Sequence, residues 1–254
     1  MNRFDLSGRV AFISGSSRGI GLALAKGLLE AGARVVVHGR DPDRATSAAA
    51  TLATSTGGET LVSTFDLTDQ SEVDRGIADV ERVWGTPDIL VNNAGIQRRA
   101  PFLEFGLADW DDLLATNMTA AFLLSQRVGR GMVDRGSGKI INIGSVQSLL
   151  ARPSITPYSA TKGGIVMFTK GLCADLAPAG IQTNAIAPGY FATELTQALV
   201  EDEEFTEWVK TRTPAGRWGE VEDLVGALIF LASPASDFVN GQILYVDGGM
   251  TAVV

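Results

Sequence analysis

The 254 residues are 45% hydrophobic and 20% charged, enough for one large α/β domain with a sizeable core. A formal net charge of -8 repels nucleic acid and anionic membrane surfaces, so any anionic ligand must be held by local cations. The single cysteine, Cys173, excludes an internal disulfide. The single histidine, His38, excludes a His-rich metal site and confines any Ser/His/Asp triad to that one imidazole.

The N-terminal MNRFDLSGRV has no apolar targeting segment, and runs such as ALIFLA are too short to span a bilayer. A cytoplasmic protein is expected. RVAFISG reads as the first strand, and the helical pattern IGLALAKGLLEAG follows with Gly32 capping its end. RVVVHGR is the second strand, which His38 closes in a structural role. Asp41-Pro42 reads as an N-cap with proline in the first turn of an Ala-rich helix.

TLVSTFD, the helical SEVDRGIADVERVWG, DILVNNAG, KIINIGS, IQTNAIAPG and ILYVDGG continue the alternation. Near-continuous apolar strands imply burial on both faces. Strands alternating with helices predict an α/β fold: one doubly wound, Rossmann-like parallel sheet of about seven strands over residues 1–254, helices on both faces. Cys173, in KGLCADLA, is expected to be a buried helix residue.

Residues 195–219, LTQALVEDEEFTEWVKTRTPAGRWG, interrupt this pattern. Phe205, Trp208 and Val209 suit a short amphipathic helix, and the acidic residues 201–204 a solvated face. The segment is either a lid over a ligand or a subunit contact.

Between the first strand and helix lies ISGSSRGIGLALA. Gly15 suits a tight turn, Gly19 a close approach of backbone to pyrophosphate, and Gly21 close packing of the helix. The helix N-terminus then offers free N–H groups to phosphate. The spacing is G-xxx-G-x-G. At the end of the second strand, where an acid would bind a ribose 2′-OH, Gly39 and Arg40 stand instead. With Arg18 they suit a 2′-phosphate and favour NADP over NAD; the alternative is that Arg40 pairs with Asp41 or Asp43.

Tyr158 and Lys162, four residues apart behind Pro157, share a face if the segment is helical. Ser145 ends a strand at the carboxyl edge of the sheet, where such folds bind ligands. Asn117 is a polar amide in the apolar helical stretch LLATNMTAAFLL and needs hydrogen-bond partners there.

After NNAG come Arg98 and Arg99. Adjacent side chains of an extended segment point opposite ways, so one is expected to face the pocket and the other solvent or Glu104. A pocket-facing guanidinium can hold a carboxylate by two parallel hydrogen bonds, which suits a sugar acid. Arg99 is the expected carboxylate partner, with Gln147 and Tyr190 contacting hydroxyls; simple packing or solvent exposure is the competing role for each.

SGSSRGIG, NNAG, Asn117, Ser145, YSATK and PGYFAT, in this order over essentially the whole chain, resemble the short-chain dehydrogenase/reductase family. Ser14 stands where the family usually has threonine. The resemblance implies hydride transfer with NADP, NAD being possible, and a catalytic tetrad of Asn117, Ser145, Tyr158 and Lys162. Tyr158 would carry the proton, with its pKa lowered by the Lys162 ammonium. Ser145 would bind the substrate oxygen. Lys162 would hold the nicotinamide ribose, and Asn117 a relaying water.

The resemblance also places Ser17 and Ile20 in the cofactor loop and Asp66 and Leu67 near the adenine. Asn93, Ala94 and Gly95 would flank the cofactor, and Pro188, Gly189 and Thr193 would lie beside nicotinamide and phosphate. GIQRRAPFLEF, IGSVQSLLARPSITPY, GYFATELTQAL and TPAGRWG are similar to the family's sugar-acid dehydrogenases. A homotetramer is implied by analogy. A non-catalytic dinucleotide-binding protein, the competing class, would be expected to lack part of the tetrad.

Overall fold

The computed structural model describes residues 2–254; Met1, included in the expected span, lies outside them. Among the described residues, seven parallel strands form one sheet: β1 (Val10–Ile13), β2 (Arg34–His38), β3 (Thr60–Ser63), β4 (Ile89–Asn92), β5 (Gly138–Ile143), β6 (Ile181–Pro188) and β7 (Ile243–Val246). Their order is β3-β2-β1-β4-β5-β6-β7. The chain reverses direction across the sheet between β1 and β4, and a crevice opens there at the carboxyl ends of the strands.

Strand alternation builds the two apolar layers. Val35 and Val37 face the helices α1 (Gly19–Glu30), α2 (Pro42–Thr56) and α9 (Val225–Ala232), meeting Leu24, Leu28, Leu52 and Leu228. Val36 points the other way, with Phe12, against α3 (Gln70–Trp84) and α5 (Ala120–Arg135), where Ile77, Leu124 and Val128 wait. Helices therefore cover both faces, as the apolar strands required.

The local signals hold. Asp41 caps α2, its carboxylate accepting from Arg44 N at 3.1 Å, and Pro42 opens the helix. Gly32 follows α1 with φ +96°, a conformation that favours glycine. Cys173 departs from expectation: it lies on α6 (Thr156–Leu176) but is only half-buried, because this helix packs one face on the sheet.

A buried amide chain ties together the elements that carry the site. Asn92 Nδ2 donates to Asn142 Oδ1 (2.8 Å) and Ser125 Oγ (2.9 Å), and Asn142 Nδ2 donates to Thr169 Oγ1 (2.9 Å). It links β4, β5, α5 and α6 at fixed register, since each buried polar group has few alternative partners.

Candidate active site

The glycine loop follows β1 as expected. Gly15 and Gly19 have positive φ (+63° and +54°), and a Cβ on Gly19 would meet open space. At Gly21 a Cβ would lie 2.5 Å from Asn93 Nδ2 and 2.9 Å from Ser16 Cα, so only glycine lets α1 seat against the loop. Arg18, at the N-cap, makes no side-chain capping bond, and the first N–H groups of α1 stay available to phosphate. Ser14 Oγ accepts from the N–H groups of Asn93 and Ala94, both at 3.0 Å, locking the loop to the end of β4.

His38 does more than end a strand. Its Nδ1 accepts from Gly15 N at 3.2 Å, and Nε2 meets Phe65 O at 3.1 Å, a pairing that assigns the proton to Nε2. Burial pushes its pKa down to about 4. The unfolded chain takes up a proton below about pH 6.5 that the native imidazole refuses until about 4. Stability therefore falls as pH drops through that window, by about 3 kcal/mol, and is intact above it. His38→Phe keeps the ring packing on Phe65 (4.6 Å between centroids) and should lose this acid-dependent component. Urea unfolding of both proteins at pH 5 and pH 7 reads the difference; equal pH dependence would contradict the role.

The residues expected beside a 2′-phosphate lie just after β2 and at the start of α1. A Cβ at Gly39 would sit 2.9 Å from Ser17 Oγ, so a side chain there would have to turn that hydroxyl aside. Asp41 pairs with Arg44 (3.9 Å), not with Arg40. Arg18 is exposed and only 3.8 Å from Glu194, a loose contact. Asp66 serves the turn after β3: its carboxylate accepts from Thr68 N (2.9 Å) and Oγ1 (2.8 Å), bonds that hold its pKa below the usual range.

The four predicted tetrad residues converge. Asn117 lies in one π-helical turn, Ala115–Thr119, between α4 (Leu107–Leu114) and α5. Such wide turns recur at functional sites. Asn117 Oδ1 accepts from Ile96 N (2.8 Å), and Nδ2 donates to Ile96 O (3.1 Å) and Thr161 Oγ1 (3.2 Å). Lys162, 5% exposed, donates from Nζ to Ile143 O at 2.8 Å. That Nζ lies 5.7 Å from the centre of the Tyr158 ring. A Cβ on Gly95 would meet Asn117 Oδ1 at 3.3 Å and Lys162 Nζ at 3.9 Å, so these groups meet at the end of β4.

Burial raises the Tyr158 pKa; the Ser145 hydroxyl and then the Arg99 guanidinium pull it back. Lys162 turns its Nζ to Ile143 O, and burial holds its own pKa to about 8.

Tyr158, Ser145, Gln147, Tyr190 and Arg99 line one cavity of about 360 Å³. Arg98 and Arg99 do diverge. Arg98 pairs with Asp109 (3.3 Å) and Asp112 (3.1 Å) rather than Glu104, since the start of α4 brings those acids over it. Gln147 Nε2 donates to Tyr190 Oη at 3.4 Å, while Gln147 Oε1 and Gln97 Oε1 are buried without partners. Tyr190 stands edge-on to Phe205, Trp208 and Trp218.

The expected amphipathic helix is α8 (Glu203–Arg212), capped by Asp202, whose carboxylate accepts from Phe205 N at 3.0 Å. It follows the short α7 (Gln197–Val200), and Thr196, Ala198 and Leu199 also reach the cavity. Arg152 and Gln97 line the cavity too and were not singled out from sequence. The available signal was a cation before proline, in the loop between Ser145 and Tyr158.

A family model described as enoyl-(acyl carrier protein) reductase matches residues 15–251. The chain is 57% identical over 248 residues to gluconate 5-dehydrogenase of Gluconobacter oxydans (strain 621H), covering 98% of this chain and 96% of that protein. It is 51% identical over 251 residues to 5-keto-D-gluconate 5-reductase of Escherichia coli (strain K12), covering 99% and 98%. Its fold superposes with a TM-score of 0.97 on a gluconate 5-dehydrogenase from Burkholderia cenocepacia J2315 solved with NADP and tartrate, at 55% identity, covering 100% of this chain and 99% of that one.

Proposed function

The chain belongs to the short-chain dehydrogenase/reductase family, and from that premise we propose that it is an oxidoreductase that reversibly interconverts D-gluconate and 5-keto-D-gluconate with NADP(H). The observation that carries this reading is the content of the cavity. It joins the half-buried Tyr158 phenol to the Arg99 guanidinium and to the amide-bearing residues Gln97 and Gln147. A polyhydroxy acid offers a carboxylate to the guanidinium and hydroxyls to the polar side chains around it.

The dinucleotide fits the loop. Gly15, Ser17, Arg18, Gly19, Ile20 and Gly21 would hold the pyrophosphate, Arg18 and Arg40 the 2′-phosphate, and Asp66 and Leu67 the adenine side. Asn93, Ala94, Gly95, Pro188, Gly189 and Thr193 would hold the nicotinamide half, with Tyr158 and Lys162. When bound, nicotinamide supplies hydride in reduction and accepts it in oxidation.

Tyr158 gives its proton to the carbonyl oxygen in reduction and takes the alcohol proton in oxidation. Ser145 donates to that oxygen as charge develops on it. Lys162, with its pKa near 8, can resupply the phenol, and Asn117 positions a water that relays protons to Lys162. Arg99 holds the carboxylate. Residues 195–219 act as a lid, supported by the cavity contacts of Thr196, Ala198 and Leu199.

No helix of the described residues is long and apolar enough to cross a membrane. We place the enzyme in the cytoplasm as a homotetramer, supported by the exposed apolar side chains Phe122, Val133 and Met167 on α5 and α6. Light scattering giving a monomer mass would remove the tetramer. Steady-state NADPH consumption with 5-keto-D-gluconate tests the activity.

A further inference from the structure

Arg99 has a neighbour of its own charge. Arg152 lines the same cavity, and the two guanidiniums are close enough that each is a charge the other must tolerate: after burial, Arg152 is the main influence lowering the Arg99 pKa. Among the described residues, neither has a carboxylate within ion-pairing distance, whereas the adjacent Arg98 has two. Two unneutralised cations line one cavity, Arg99 also reaching solvent, and on a protein of net charge -8 they are the local positive charge that an anionic ligand needs.

The placement is built by the backbone. Ala100 N donates to Ser154 O at 3.2 Å, which bridges the segment bearing Arg99 to the segment bearing Arg152. Ser154 has φ +70°, the one positive φ on a non-glycine residue among those described. Such a conformation persists where its surroundings impose it. Pro153 further restricts the backbone of Arg152 to extended values. The Arg152 guanidinium lies 5.2 Å from the centre of the Phe205 ring of α8, so a residue of the candidate lid fixes its orientation.

Both guanidiniums share this cavity with the Tyr158 and Tyr190 phenols.

We propose that Arg152 is a specificity-determining residue that, with Arg99, clamps the carboxylate of the sugar-acid substrate between two guanidiniums, held in place by Phe205 of α8. This rests on the reading of the cavity as a sugar-acid site. One carboxylate has two oxygens and four lone-pair sites, enough for both forks. The second fork sets the distance from carboxylate to carbonyl, and so which carbon meets Tyr158.

The test compares wild type with Arg152→Ala, Arg152→Met and Arg152→Lys. Met keeps an unbranched stem over Phe205 without the charge; Lys keeps the charge without the fork. For 5-keto-D-gluconate, KM should rise about 10-fold in Ala and Met, with kcat nearly unchanged and partial rescue in Lys. KM for an uncharged ketone should not move. Wild-type KM in Arg152→Met, or equal increases for the charged and uncharged substrates, would overturn the proposal by assigning Arg152 to packing.

Calorimetric titration of the NADP-loaded proteins with tartrate, a dicarboxylate, separates this from the activity itself. Tartrate binding to wild type but weakened about 10-fold in Ala and Met supports the clamp even if 5-keto-D-gluconate proves not to be turned over. Equal affinities, or no binding to wild type, overturn it.

Discussion

Tyr158→Phe is expected to lower kcat for 5-keto-D-gluconate reduction by about 10³-fold, within the range of a lost general acid. Phenylalanine keeps the ring, its burial and its contact with the Lys162 amine, and removes only the proton-bearing oxygen. NADPH affinity, read by fluorescence titration, should change far less than kcat. The pH profile follows from the raised pKa of the phenol. Through neutral pH the group is protonated, so reduction runs undiminished and falls only as pH climbs through that pKa. Oxidation, which needs the phenolate, rises along the same limb. A variant that retained near wild-type kcat would move the proton to another group.

Arg99→Ala should produce the largest effect on substrate recognition. Losing charge-assisted hydrogen bonds to a carboxylate costs about 2 kcal/mol, roughly a 30-fold rise in KM. The loss should exceed that at Arg152, because the Arg99 guanidinium influences the Tyr158 phenol. A second signature separates Arg99 from a simple anchor. Its guanidinium favours the phenolate, so its removal should raise the Tyr158 pKa further and shift the alkaline limb of reduction to higher pH. Steady-state kinetics from pH 7 to about 10.5 read both effects. An unchanged limb together with unchanged KM would leave Arg99 without a role.

The seven strands, their burial on both faces and the glycine loop were legible because each depends on short-range pattern. Apolar runs of four to eight residues can form only so many buried structures, and Gly15, Gly19 and Gly21 lie within one turn of chain. The convergence of Tyr158 and Lys162 was legible for the same reason, through helical spacing on α6.

Legibility failed where the partner is distant in sequence. His38 reads as the end of a strand, and nothing nearby announces that its Nδ1 braces Gly15, 23 residues back. Arg98 has Glu104 close in sequence, yet α4 delivers Asp109 and Asp112 instead. Arg152 sits in a loop of no periodicity, and a backbone bond between Ala100 and Ser154 bridges that loop to the one bearing Arg99. The direction in which Lys162 Nζ turns, toward Ile143 O, is likewise a property of packing.

The decisive measurement is the ratio of kcat/KM for 5-keto-D-gluconate to that for an uncharged open-chain ketone, taken with NADPH on the wild-type protein. A phenol that donates the proton, with guanidiniums gripping the far carboxylate, predicts a preference for the acid of about 10²-fold or more. A ratio near unity would mean that the cavity does not read the carboxylate.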